Sequence, residues 1–257
     1  MLYNDLEQGI YILHENEEWL PPFREAFKRA GLNFGEIDLS KGAINLDKEP
    51  PKGVFWSRMS ASSHTRGHAF AKDYARAIFA WLARYNRRIV NPLSVLELEV
   101  SKVAQYLALN SAGFRTPKTL AAFGKADLRE LARNLQTPFI IKHNQGGKGL
   151  GVRLFESFAE FEKCLNSSEF EQSADGIYLA QEYVKSKAPF ITRIEFIAGK
   201  FHYAVRVDTS DGGFELCPAE ACEIERKPKL AAAYTVKNFK TREFKRVVNL
   251  AEIQLTR

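Results

Sequence analysis

The first 92 residues alternate short apolar runs with segments of helical periodicity. Four runs predict strands: GIYILHE, NFGEIDL, GVFWSRM and RRIVN. Between them lie two segments with apolar residues at every third or fourth position. One contains Phe23, Phe27 and Ala30 before a stop at Gly31, and the other contains Phe70, Tyr74, Ala77, Ile78 and Trp81. Strands that alternate with helices predict a small parallel sheet with helices on its faces.

A second region follows Asn91-Pro92, where we predict a domain boundary. The SVLE segment, residues 94–97, matches a capping box and predicts a helix that carries Lys102 and ends near Gly113. Further strands are predicted at RTPKTLAAF, PFIIK, GVRLF and YLAQEYV, and helices at DLRELARNL and SFAEFEKCL. The predicted division is an α/β domain at 1–92, a second region at 93–225 and a basic helical tail at 226–257.

The positive charge of the chain is concentrated in that tail. The net charge is +6 over 257 residues, and residues 226–257 contain nine Lys/Arg and two Asp/Glu, so the tail carries +7 and the rest carries −1. A nearly neutral body without a recognisable nucleic-acid motif does not favour a nucleic-acid partner. There is no apolar run of membrane-spanning length, and the three cysteines lack metal-ligand spacing. The sequence predicts a cytoplasmic protein without a membrane partner.

Glycines cluster in residues 140–152, IIKHNQGGKGLGV, around Lys148. A Walker A loop is excluded, because Lys148 is followed by Gly149 and not by serine or threonine. A dinucleotide-binding fingerprint is also excluded, because its glycines open a helix whereas these join two strands. Two interpretations stay open. The segment is a mobile hairpin flap whose amides and Lys148 cover a polyphosphate, or it is an ordinary glycine-rich hairpin.

Residues 190–208, FITRIEFIAGKFHYAVRVD, predict another β-hairpin, with Gly199-Lys200 as its loop. In that register Arg193 lies directly opposite Arg206, which is unfavourable unless an anion lies nearby. Either Glu195 and Asp208 supply the negative charge in a solvated lattice of ion pairs, or the two arginines bind phosphate oxygens.

The loop after the third strand, WSRMSASSHTRGH, concentrates hydrogen-bond donors. It contains Arg58, His64, Arg66 and His68. It lies at the carboxyl end of a strand, where open α/β sheets bind ligands. These side chains bind a substrate carboxylate or form a polar cluster at a domain interface, and the sequence leaves both alternatives open.

The order of these parts is more specific than any one of them. Lys102 on a helix precedes Lys142 on a strand, and the glycine hairpin, AQEYV and the arginine hairpin follow. From about residue 54 to residue 225 this order resembles the ATP-grasp superfamily, most closely the RimK-type α-L-glutamate ligases. The resemblance implies an α/β (α+β ATP-grasp) fold, in which a small parallel N-terminal domain precedes ATP-grasp subdomains with a glycine-rich flap. It also implies ATP-dependent ligation of a carboxylate to an amine through an acyl-phosphate, with ATP and Mg²⁺.

The same resemblance implies roles for individual residues. Lys102 and Lys142 would hold the α- and β-phosphates, unless Lys102 is simply a solvated helix lysine. The flap would consist of Gly146, Gly147, Lys148, Gly149 and Gly151. The strand that reads adenine, mostly through backbone groups, would contain Gln181, Glu182, Tyr183 and Val184. Arg193 and Arg206 would act as catalytic arginines beside the transferred phosphate. The substrates would be a small-molecule or peptide carboxylate, near Arg58, His64 and Arg66, and an amino acid such as glutamate.

The sequence departs from the resemblance in its metal ligands. ATP-grasp enzymes of this type carry an acidic residue on one late strand and an E-x-N or D-x-N pair on the next, and no such pair follows Ile224. The metal ligands therefore stay unassigned. Two hypotheses follow: an ATP-dependent carboxylate–amine ligase, complete or truncated, and a nucleotide-binding protein of the same fold without ligase activity.

Overall fold

The structure, a computed structural model, describes residues 9–147, 149, 151–197 and 199–208, with the backbone alone at residue 193 and residues 205–208. The predicted tail, Cys217 and Cys222 lie outside the described residues. Cys164 is a free thiol. Among the described helices, none has the length and apolar composition of a membrane span.

The N-terminal sheet is parallel throughout, as predicted. Its strands are β1 (Gly9–His14), β2 (Phe34–Asp38), β3 (Gly53–Ser57) and β4 (Arg88–Val90), in the order β2-β1-β3-β4. The connections contain α1 (Pro21–Arg29), α2 (Ala71–Arg84) and two 3₁₀ turns at Glu17–Trp19 and Ser63–Arg66. All four strands therefore end at the same edge, where His14, Asp38 and Arg58 follow or close a strand.

Helix α2 packs on this sheet through a stripe that differs from the predicted one. Ile78 and Trp81 are buried as predicted, but Phe70 is 81% exposed and precedes the helix as its N-cap. The stripe runs instead through Ala75 and Phe79, and it packs against Tyr11 and Phe55 of the sheet. The prediction was therefore right for Ile78 and Trp81 and wrong for Phe70 and Ala77, which are exposed. Apolar residues cover more than one face of this helix, and contact with the sheet selects which of them are buried.

The predicted helix of residues 94–113 is two helices. They are α3 (Leu93–Val100) and α4 (Lys102–Ser111), separated by Ser101 in an extended conformation. Ser101 is the N-cap of α4 and accepts a hydrogen bond from Ala104 N at 3.2 Å, whereas Ser94 caps nothing because α3 begins before it. The capping box at Ser94 was therefore wrong, and the break makes Lys102 the first residue of a helix.

The second sheet is antiparallel and has the order β5-β8-β6-β7. Its strands are β5 (Thr119–Phe123), β6 (Phe139–His143), β7 (Arg153–Phe155) and β8 (Ile177–Glu182), and its helices are α5 (Gly124–Ala132) and α6 (Phe158–Leu165). A separate core forms between them, in which the ring of Phe139 contacts those of Phe155 and Phe161 at centroid distances of 5.8 and 5.6 Å. Because β6 and β7 are antiparallel neighbours, the glycine segment joins a hairpin, as predicted.

The hairpin of β9 (Phe190–Ile197) and β10 (Lys200–Asp208) is confirmed, but its register is not the predicted one. Ile197 pairs with Lys200, so the loop lies one residue earlier than Gly199-Lys200. A bulge between Phe201 and Tyr203 then shifts the pairing. The division into units at 1–92, 93–225 and 226–257 stays a prediction; α3 contributes Leu96 and Val100 to the N-terminal core.

Candidate functional site

Helix α4 begins against the base of the glycine segment. The Lys102 backbone N–H donates to the carbonyl of Asn144 at 3.2 Å, and its ammonium donates to the carbonyls of Asn144 and Gly146 at 3.3 and 2.8 Å. Lys102 thus lies where the strand β6 leads into the glycines, and it is not a solvated helix lysine. The sequence predicted both lysines, but only the fold shows that they share one cleft.

The second lysine lies on β6, across the cleft from α4. The Lys142 ammonium donates to the Tyr106 hydroxyl and to Gln181 Oε1, both at 2.8 Å. The Gln181 amide donates to the same hydroxyl at 2.7 Å and to Thr119 Oγ1 at 2.8 Å. Tyr106 follows Lys102 by four residues, so it lies on the same face of α4. This network holds the Lys142 ammonium in one place.

Each of these ammonium groups has one N–H without a hydrogen-bond partner among the described residues. A lysine has three donors, and the contacts above use two from Lys102 and two from Lys142. Burial, followed by the positive charge of Lys142, lowers the pKa of Lys102 to about 8. Two cations that raise each other's energy are stabilised together by a polyanion. The cleft is therefore suited to a polyphosphate.

Asn144 connects α4 to the end of β6, and no sequence motif pointed to it. Its Oδ1 accepts from Val103 N at 2.9 Å, and its Nδ2 donates to Asp175 at 2.6 Å. The side chain is buried, and it supplies an acceptor to the first turn of α4. Asn144 therefore fixes the start of α4, and hence Lys102, relative to β6. A polar residue directly between a buried strand and a glycine run is the signal that would have found it.

The backbone of the glycine segment requires glycine at specific positions. Gly149 and Gly151 have φ angles of 84° and 69°, in the left-handed region. A Cβ on Gly151 would also lie 2.8 Å from the ring of His143. A Cβ on Gly147, by contrast, would meet nothing within 4 Å. Lys148 lies outside the described residues. A side chain at position 147 would therefore meet no steric obstacle from the described residues.

A cavity of about 530 Å³ separates the glycine segment from the Ser63–Arg66 turn of the N-terminal sheet. His64, His143, Gly146 and Gly147 line it, together with Glu171. The glycine segment is attached to the loop before this turn, because the Gln145 amide donates to the Ala61 carbonyl at 3.1 Å. His64 Nδ1 donates to the same carbonyl at 3.0 Å, which fixes the position of the His64 ring. Burial lowers the pKa of His143. The predicted substrate residue His64 does adjoin the glycines.

The two predicted substrate arginines lie elsewhere. Arg66 donates to the buried carboxylate of Glu15 through Nε at 3.1 Å and through Nη2, and it contacts the Trp19 ring at 4.8 Å. The Arg58 guanidinium lies against the rings of Phe23 and Trp56. These contacts favour the polar-cluster alternative for Arg66. Binding of a substrate by either arginine stays a prediction.

The predicted adenine-reading strand is β8, a central strand of its sheet. Its register pairs Gln181 with Thr119 on one side and with Ile140 on the other. Glu182 ends the strand; its N–H donates to the Lys118 carbonyl at 3.0 Å and its carboxylate accepts from Lys118 N at 2.8 Å. Tyr183 and Val184 follow the strand, and Val184 is exposed. Adenine contacts stay a prediction.

The two predicted catalytic arginines are not paired across the hairpin. Arg193 pairs with Val205, and Arg206 pairs with Thr192. The predicted facing pair was wrong because the loop lies one residue earlier than predicted, which alone would place Arg193 opposite residue 204, and the bulge moves the pairing back by one residue. Their predicted role at the transferred phosphate stays a prediction.

The magnesium ligands are not identified among the described residues. In the described ranges, the groups of three or more His, Cys, Asp or Glu whose ligand atoms converge number one, His14, Glu17 and Glu36 of the N-terminal sheet. This group does not contain Lys102, Lys142 or a glycine-segment residue, so the magnesium ligands stay unassigned.

The two sheets, the glycine hairpin and the paired lysines define an ATP-grasp fold. A RimK domain ATP-grasp protein from Sphaerobacter thermophilus DSM 20745 has a TM-score of 0.54 at 17% identity, over 76% of this chain and 71% of its own. D-cycloserine synthetase DcsG has a TM-score of 0.58 at 17% identity, over 95% and 81%. The ATP-grasp ligase PsnB, complexed with minimal precursor, Mg and ADP, has a TM-score of 0.55 at 14% identity, over 98% and 82%. No protein-family model and no curated protein matches the sequence.

If Lys102 holds a phosphate, as the sequence predicts, ATP binding should weaken as the pH rises through 8. The pKa of Lys102 lies near 8, below its ordinary 10.5, so the ammonium loses its proton there, and a neutral amine does not attract phosphate. The apparent affinity should then fall by up to about tenfold per pH unit. Calorimetric titration of ATP between about pH 7 and pH 9.5 measures this. Lys102→Arg keeps its charge throughout, so a Lys102→Arg profile as steep as the wild-type one would contradict the assignment.

Proposed function

We propose that this chain binds ATP between α4 and the second sheet and uses it to join a carboxylate to an amine. The observation that carries the proposal is the pair of ammonium groups, Lys102 and Lys142, each held by two hydrogen bonds with a third N–H left. Backbone carbonyls and neutral side chains hold these cations, so their charge is not cancelled by a directly bonded carboxylate. Phosphoryl transfer depends mainly on such positioning and charge neutralisation.

The proposed reaction has two steps. A substrate carboxylate oxygen attacks the γ-phosphorus of ATP, the bond from that phosphorus to the β,γ-bridging oxygen breaks, and ADP leaves an acyl-phosphate. The amine nitrogen then attacks the acyl carbon, phosphate leaves, and the nitrogen loses a proton as the amide forms. Lys102 and Lys142 hold the phosphates during the first step. In this proposal the glycine segment covers the phosphates and excludes water.

The acyl-phosphate would form in the cavity of about 530 Å³ that is lined by Gly146, Gly147 and His64. Its volume is in the range of small-molecule sites. The cavity joins the second sheet to a turn at the carboxyl edge of the first sheet, where substrates of open α/β sheets bind. A neutral His143 in its wall is compatible with a proton acceptor for the incoming amine, since burial lowers its pKa.

The substrate classes in this proposal are a small-molecule or peptide carboxylate and an amino acid such as glutamate. The similar structures support the general reaction only: one is an ATP-grasp ligase complexed with minimal precursor, Mg and ADP, and one is a synthetase. The choice of amino acid depends on residues around the cavity and is left to experiment. The predicted cytoplasmic location likewise stays a prediction from the cysteine pattern.

The test has two stages with the full chain. ATP is first titrated calorimetrically with and without Mg²⁺. ADP and phosphate release is then measured with panels of amino acids and of carboxylate acceptors. We expect ATP binding and an ADP release that requires both partners. ATP binding without release under any pair would favour the alternative from the sequence, a nucleotide-binding protein without ligase activity. Absence of ATP binding would overturn both.

A further inference from the structure

A second cavity, of about 570 Å³, lies at the carboxyl ends of β1 and β2. His14 closes β1, Glu36 and Asp38 lie on β2, and Glu17 begins the 3₁₀ turn after β1. None of the residues lining it lines the cavity beside the glycines. The proposed ligase reaction therefore leaves this second site unexplained.

The imidazole in this cavity is buried, and one of its two ring nitrogens has no hydrogen-bond partner among the described residues. His14 is 4% exposed, and its Nδ1 has no hydrogen-bond partner among the described residues. A buried polar atom without a partner is costly, so it needs a physical reason. A ligand bound in the cavity, beside His14, would be such a reason. Neutral imidazole is the commonest metal ligand in proteins.

Two carboxylates converge on the same point. One ligand atom each from His14, Glu17 and Glu36 lie within 4.8 Å of one another. The Arg24 guanidinium donates to Glu36 through Nε and Nη2, both at 2.7 Å, and to Glu17 through Nη2. Those hydrogen bonds from Arg24 lower the pKa of Glu36, so its carboxylate stays ionised.

The charge of the cavity remains negative after Arg24 is counted. Glu17, Glu36 and Asp38 contribute three negative charges and Arg24 contributes one positive charge. Lys41 pairs with Asp38 at 3.3 Å, but its side chain is largely exposed. With a neutral His14 the sum is −2 without Lys41 and −1 with it. A cation of charge two therefore brings the sum to zero without Lys41 and to +1 with it, so the site is charged to attract a cation.

We propose that His14, Glu17 and Glu36 bind one divalent transition-metal ion of the zinc or manganese class. One imidazole nitrogen with two carboxylate oxygens suits such ions, whereas magnesium prefers oxygen ligands and water. Arg24 orients the two carboxylates in the role that outer hydrogen-bond partners play in metal sites. Glu17 is exposed and has an oxygen outside the Arg24 contact, so it can turn to the ion. The ion would join β1, the turn after it and β2.

The test uses ZnCl₂ and MnCl₂ alone, titrated calorimetrically into tag-free full-length protein without nucleotide. We expect one ion per chain. His14→Ala should weaken binding by about 100-fold, and Glu17→Gln by about tenfold, in the range seen when metal-site groups are removed. The matched control is His202→Ala, because His202 is an exposed histidine on β10. The His202→Ala protein should bind each ion with the same affinity as the wild type.

A thermal measurement gives an independent readout. The ion binds the folded state, so it should raise the melting temperature of the wild type and of His202→Ala by the same amount, and that of Glu17→Gln by less at the same ion concentration. Equal affinity in the wild type and Glu17→Gln, or no saturable binding of either ion, would overturn the proposal. Because the Glu17 side chain is exposed, Glu17→Gln decides the matter even if His14→Ala fails to fold. None of these results depends on ATP binding.

Discussion

Lys142→Ala is expected to weaken ATP binding by about 100-fold or more, beyond detection in an ordinary titration. The ammonium lies on β6 between the Tyr106 hydroxyl and Gln181 Oε1, each at 2.8 Å, and its third N–H is left for a phosphate oxygen. Removing one partner of a desolvated, hydrogen-bonded charge pair costs about 2 to 5 kcal/mol of binding free energy. Calorimetric titration of ATP measures the loss.

A second readout separates loss of charge from loss of fold. The Lys142 charge contributes, after burial, to the lowered pKa of Lys102. In Lys142→Ala that pKa should therefore rise from about 8, as NMR titration of the Lys102 ammonium would show. Lys28→Ala, which removes an exposed lysine from α1, should leave both ATP affinity and this pKa unchanged. Undiminished ATP affinity in a folded Lys142→Ala protein would contradict the phosphate role.

Glu15→Ala is expected to destabilise the fold by about 3 kcal/mol, since removing one partner of a buried ion pair leaves an uncompensated charge. The Glu15 side chain is fully buried after β1, and it accepts hydrogen bonds from Arg66 and, at 3.1 Å, from His68 Nδ1. Arg66 keeps some contact with solvent, which limits the cost. Urea unfolding followed by circular dichroism measures the change in the free energy of unfolding.

The same substitution should affect the proposed reaction through the turn that carries His64. Arg66 and His68 lie at the end of the Ser63–Arg66 turn, and both lose their hydrogen bonds to Glu15 in this variant. We therefore expect the turn to shift and His64 to move away from the cavity. Glu18→Ala is the matched control: Glu18 is exposed in the same segment, and its loss should change stability by less than about 0.5 kcal/mol. A Glu15→Ala protein as stable as Glu18→Ala would show that the buried pair contributes nothing.

Most strands and helices were predicted because their periodicity is strong and local. Strands β1 to β8 each contain apolar residues within short bounds, and all of them except β7 contain β-branched residues, so the sequence predicts them without tertiary information. The predicted helix SFAEFEKCL is also present as α6, and its first residue, Ser157, is the N-cap, since its hydroxyl accepts a hydrogen bond from Glu160 N at 3.2 Å. The break at Ser101 was missed, although serine before a periodic segment is a helix start signal, because apolar periodicity continues across it.

The register of β9 and β10 was not predictable from these residues. The segment around Gly199 permits a loop at 198–199 or at 199–200, since glycine adopts the left-handed conformation in either. A bulge then moves the pairing by one residue, which places Arg193 opposite Val205. No local sequence pattern predicts this bulge, because a bulge depends on how the two strands pair along the whole hairpin.

By itself the sequence determined the alternation of strands and helices, the glycine hairpin, and the two lysines with their order along the chain. These follow from local periodicity, turn chemistry and spacing, which act over a few residues. Only the tertiary structure decided that Lys102 and Lys142 share one cleft, that Asn144 joins α4 to β6, and that His14 meets Glu36. Those contacts join residues distant in sequence, and they depend on packing and on the need to satisfy every buried polar group, which no single segment of the chain encodes.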